Sequence, residues 1–94
     1  MEACVRMRPI ESLSEEARFA FQAFVDMSRS KAEHFASMEA LESKYESGGA
    51  PSLGEKLELD KLLKRHDANV QAFKVAMAAV TDADDKQALI EHFA

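Results

Sequence analysis

The sequence predicts an all-α protein: a long antiparallel helical hairpin followed by a short C-terminal helix. Three observations carry that prediction. Apolar residues recur on a seven-residue spacing from Leu13 to Tyr45 and again from Leu59 to Val80, which keeps a narrow stripe on one side of each helix and demands a facing helix. Between the two registers lies Ser47-Gly48-Gly49-Ala50-Pro51-Ser52, a cluster of helix breakers. Only three Gly and two Pro occur in 94 residues, so both helices can run long.

The first helix is expected over residues 13–46. One line of its seam holds Leu13, Ala20, Met27, His34 and Leu41; the other holds Ala17, Phe24, Lys31, Met38 and Tyr45. Ser12-Leu13-Ser14-Glu15 reads as a capping box, with the Ser12 hydroxyl accepting the Glu15 amide and Glu15 reaching back. Gly48 or Gly49 supplies the left-handed residue that ends the helix.

The second helix is expected over residues 53–80, after a second box at Ser52-Leu53-Gly54-Glu55. Its seam lines are Leu59, His66, Phe73, Val80 and Leu63, Val70, Met77. Thr81-Asp82-Ala83-Asp84-Asp85 is rich in cap-forming side chains, so it stops this helix and starts a third over 83–93. That helix carries Leu89, Ile90 and Phe93 on one face. Residues 1–11 read as an arm, extended up to Pro9, and residues 12–94 as a single hairpin domain.

Composition narrows the function classes. A net charge of −5 and a pI near 5.1 give no general attraction to nucleic acid or anionic lipid. The basic spot Lys61, Lys64, Arg65 is surrounded by Glu58, Asp60 and Asp67, a solvated face of mixed charge. The single cysteine, Cys4, allows no internal disulfide and suits a reducing compartment. Charges at the N-terminus stand where a signal peptide needs an apolar run, and no window approaches a membrane span. A cytoplasmic protein is expected.

The seam does not absorb all the apolar residues. Ala17 to Val25 and Ala72 to Val80 are apolar on nearly every side of their helices, and such helices are covered on more than one flank. The third helix can cover part, with Leu89, Ile90 and Phe93 against Phe19, Phe21 or Val25. Phe21 and Phe35 form a second stripe, and Leu57 and Leu62 fall off the second seam. A second copy giving a four-helix-bundle-like core is the economical cover. The expected partner surface is therefore Phe19, Phe21, Val25, Phe35, Leu57 and Leu62. The partner is a second copy, or a helix of another protein.

Three seam residues are polar, Lys31, His34 and His66, and Asn69 falls near Lys31. An antiparallel hairpin brings them to one level, a polar core layer of the kind that fixes register in coiled coils. The rival reading makes His34 and His66 metal or small-ligand contacts. It lacks ligands, because no carboxylate or thiol occupies a neighbouring inward position, and Lys31 and Leu63 stand where a Glu-x-x-His site needs Glu. The Asp82-Asp84-Asp85 run departs from a calcium loop at Lys86 and Gln87. Gly48-Gly49 lacks the following Lys-Ser/Thr of a phosphate loop. Ser28, Ser30, Ser37 and Ser43 supply hydroxyls, but no sequence context poises any of them as a nucleophile. The expected role is thus a non-enzymatic interaction module without a cofactor.

The hairpin architecture resembles the small helical adaptors and secretion co-chaperones. The segments Val80-Thr81-Asp82-Ala83-Asp84 and Ala88-Leu89-Ile90-Glu91-His92-Phe93 are similar to the tails of hairpin subunits that polymerise in secretion needles. That resemblance implies a subunit or chaperone of a secretion apparatus as an alternative role.

Overall fold

Helix α1 (Glu15–Lys44) starts at Ser14, two residues beyond the expected cap. In the computed structural model, which describes residues 9–93, the Ala17 amide donates to Ser14 Oγ at 3.2 Å and the Arg18 amide to the Ser14 carbonyl. The Ser12 hydroxyl instead donates back to the Pro9 carbonyl at 2.7 Å, closing a single 3₁₀ turn over Ile10–Ser12. The reason is Leu13: extended at the end of that turn, it is buried in the core rather than placed in the helix. Of the expected arm, residues 1–8 and with them Cys4 lie outside the described residues; Pro9 is extended.

Helix α2 (Leu53–Ala78) starts as the sequence predicts. Glu55 N–H donates to Ser52 Oγ at 3.1 Å and Ser52 N–H to Glu55 Oε1 at 2.9 Å, the reciprocal pair of a capping box. Gly48 and Gly49 both have positive φ, 129° and 89°, and reverse the chain between the helices. Helix α3 (Ala83–Phe93) is capped by Asp82, whose Oδ1 accepts the Asp85 amide at 3.0 Å. The described residues contain no strand.

Two compact units are present, one formed by the chain up to Val25 and from Ala72, the other by Asp26–Gln71. In the terminal unit the start of α1, the end of α2 and α3 bury Leu13, Ala17, Ala20, Ala23, Ala76, Val80, Ala88 and Leu89. Alanines at the contacts let helix axes approach closely, and Leu89 and Val80 are the largest side chains wholly out of water. Phe24, Phe73 and Phe93 close the cluster, with Phe93 stacked on Phe24 at 4.2 Å between ring centres and edge-on to Phe73 at 5.5 Å. Phe21 meets His92 edge-to-face at 5.8 Å. Asp85 ties α3 to the start of α1 by accepting the Ser14 amide at 3.3 Å.

The third helix covers part of what the sequence suggested: Phe21 packs against the core and meets His92. Leu89 and Phe93 turn inwards, but Ile90 is 54% exposed and Phe19 68% exposed. One turn of a short helix presents two or three side chains to a neighbour, and Leu89 with Phe93 take those places.

In the turn unit the seam keeps one expected line and exchanges the other. His34 and Leu41 on α1, and Leu59 and His66 on α2, are at least half-buried. Lys31 and Met38 turn outwards, and Ser30 and Ser37 take the inward side; on α2, Leu63 turns outwards and Leu62 replaces it. A seam holding Lys31 would strip water from an ammonium without a partner. Rotating the contact by one residue substitutes a hydroxyl that can be satisfied. Ser30, 3% exposed, donates to the Met27 carbonyl at 3.0 Å and meets His66 Nδ1 at 3.0 Å.

Candidate interaction surface

The turn itself is locked by one carboxylate. Glu55 Oε2 takes Lys44 Nζ at 2.6 Å, and Glu55 Oε1 accepts the Tyr45 hydroxyl as well as the Ser52 amide. These contacts, Lys44 first and Tyr45 second, hold the Glu55 carboxyl down at about 2. The same bonds raise Lys44 and Tyr45 above their usual values. The capping box therefore does more than start α2: it fixes the Tyr45 ring beside Pro51.

That ring forms one end of an open apolar concavity of about 430 Å³, lined by Met38, Leu41, Glu42, Tyr45, Pro51 and Leu59. Phe35, one turn before Met38, is 50% exposed, and Leu63, one turn after Leu59, is 40% exposed. With about 100° of rotation per residue, Phe35, Met38, Leu59 and Leu63 all fall on the flank where the concavity opens. Leu53 and Leu57, at 73% and 59% exposure, lie further round α2.

The opposite flank of this unit has another character. A hollow of about 280 Å³ is lined by Asp26, Arg29, Ser30, Glu33, Arg65 and Asn69. Its charges answer one another: Arg65 reaches Glu33 at 3.4 Å and Arg29 reaches Asp26 at 4.0 Å. Asn69 donates to the Asp26 carbonyl at 3.3 Å. Ser30 with His66 is a hydroxyl–imidazole pair, and the Met27 carbonyl is a second acceptor for the one Ser30 proton. Which of Ser30 Oγ and His66 Nδ1 donates to the other follows the imidazole tautomer.

The expected site residues divide accordingly. Phe19, Phe35 and Leu57 are exposed; Phe21, Val25 and Leu62 are half-buried, with Phe21 packed against the terminal core and Leu62 in the seam. The polar layer retains His66 and Asn69 as bonded seam residues and His34 as a half-buried one, whose ring lies 6.2 Å from that of Phe35. Lys31 is outside it, exposed with Nζ 5.9 Å from the Phe35 ring centre. Met38 and Leu63 were hidden from the sequence reading because their spacing assigned them to the seam. The one signal available was Lys31, whose charge argues against that line of the register.

Among the described residues no three His, Cys, Asp or Glu side chains are grouped to hold a metal ion, and no helix is long and apolar enough to cross a membrane. The chain matches no family model, no curated protein and no solved structure.

Proposed function

We propose that this chain is a non-enzymatic helical interaction module that pairs with a second copy of itself through the apolar flank of its turn unit. One observation carries the reading: the open concavity at Met38, Tyr45, Pro51 and Leu59, extended by exposed Phe35 and Leu63. Apolar area removed from water contributes about 25 cal/mol per Å², so a contiguous apolar flank is a standing drive to association. The polar flank offers no such drive, because its charges are already paired.

Solution mass, measured by sedimentation with reductant present so that Cys4 cannot cross-link, tests this. The dimer mass is expected for the natural chain, with Phe35→Asp shifting it towards the monomer while helicity is kept. Phe21→Asp is not an equivalent probe, since Phe21 packs on the terminal core. A natural chain that stays monomeric as concentration is raised would defeat the reading.

A further inference from the structure

Lys31, Phe35, Met38 and Glu42 follow one another at spacings of four, three and four residues. Those spacings put them on one face of α1. The order is cation, apolar, apolar, anion, and the spacing is unchanged when read from the other end. All four side chains are exposed. Neither Lys31 nor Glu42 forms an ion pair with any described residue.

Helix α2 supplies the rest of the face. The contacts Glu33–Arg65 and Lys44–Glu55 fix the antiparallel alignment of α1 and α2 here. Interpolation between them sets Leu59 and Leu63 on either side of the level midway between Phe35 and Met38. Along α1 the apolar pair Phe35 and Met38 thus has opposite charges at equal distances on its two sides, and the concavity continues past Glu42 to Tyr45.

The geometry points to an isologous dimer in which α1 lies antiparallel to α1 of a second copy, with the two-fold axis passing between Phe35 and Met38. About that axis Phe35 meets Met38 of the partner subunit, and Lys31 meets Glu42 of the partner subunit. Symmetry makes each contact twice. A parallel pairing in the same register would set like charge against like at both ends, so the charges select the direction as well as the register. Leu59 and Leu63 flank the contact, and two hairpins so joined form a four-helix assembly. The inference rests on the self-pairing reading above and adds its axis, direction and charge pairs.

Charge reversal tests it. Lys31→Glu and Glu42→Lys each turn both attractive pairs into repulsive ones, and each is expected to weaken self-association by roughly tenfold at low salt. The double variant, Lys31→Glu with Glu42→Lys, restores opposite charges at both ends and is expected to regain the natural affinity. A mixture of the two single variants is the sharpest arm. In a mixed dimer every pair is again attractive, so heterodimers are expected where neither variant dimerises alone. Far-UV circular dichroism reports whether each exposed-site variant keeps its helices. A natural dimer indifferent to both single reversals, or single variants that fail to recombine, would overturn this axis while leaving self-pairing intact. A natural chain that is monomeric throughout overturns both.

Discussion

Ser30 Oγ and His66 Nδ1 meet at 3.0 Å, a side-chain to side-chain bond between the inward faces of α1 and α2 in the turn unit. It explains why the helices adopt their register. With Ser30 inward, a small hydroxyl shares its hydrogen-bonding between the Met27 carbonyl and an imidazole, and Lys31 keeps its ammonium in water.

Replacing Ser30 by alanine should leave His66 Nδ1 without its partner in a half-buried seam. The expected cost is about 1 kcal/mol, the usual net worth of such a bond, read as a lower urea midpoint at unchanged slope. Lys31→Ala should change the midpoint by less than about 0.5 kcal/mol, as surface substitutions do. Equal losses in the two variants would put Lys31 back in the seam.

The turn should be acid-sensitive through Glu55. Its folded-state value of about 2 lies below the ordinary 4.5 of a glutamate. A depressed carboxylate contributes stability that is whole above the unfolded value and is lost as pH falls through the folded one. The midpoint of unfolding should therefore fall between about pH 5 and pH 2, and Glu55→Gln should flatten that part of the profile. Lys44 and Tyr45 are both raised, so their share is present below the ordinary values of 10.5 and 10.0 and fades as pH climbs beyond them. An acid profile unchanged in Glu55→Gln would remove Glu55 as the origin.

Alanine at Gly49 should be costlier than at Gly48. Both residues have positive φ, a conformation strained for an L side chain whatever the space around it. A Cβ at Gly48 meets nothing within 4 Å, whereas one at Gly49 comes 3.3 Å from the Tyr45 ring. The additional loss at Gly49 should appear in thermal unfolding, and it should shrink when Tyr45 is also replaced by alanine.

In the terminal unit Leu89→Ala should be the most damaging single truncation. Leu89 is fully buried among alanines that offer little to collapse into the space, and such truncations cost about 2–5 kcal/mol. Ile90→Ala, at an exposed neighbour, should be nearly silent in the same denaturant titration. A silent Leu89→Ala would mean α3 is not docked through that residue.

Much of the architecture was legible from short-range chemistry. The bounds of α3, the Ser52–Glu55 box and the diglycine reversal each depend on a few adjacent residues, and each is found where the sequence predicts it. The candidate surface was less legible. Phe35 could be assigned to it because it stands off the seam on either register. Met38 and Leu63 could not, because a seven-residue pattern does not say which of two adjacent residues faces the neighbour when both are acceptable.

By itself, then, the sequence determined the helices, the caps of the second and third, the place of the reversal and the antiparallel sense, because all of these follow from local backbone preferences and from apolar spacing along one chain. Only the tertiary structure decided which residue of each neighbouring pair turns inwards: Ser30 over Lys31, Leu62 over Leu63, Leu89 and Phe93 over Ile90. That choice depends on what a side chain meets across the interface. A rotation of one residue costs the helix nothing, but it determines which charges stay hydrated and which apolar groups are left facing water.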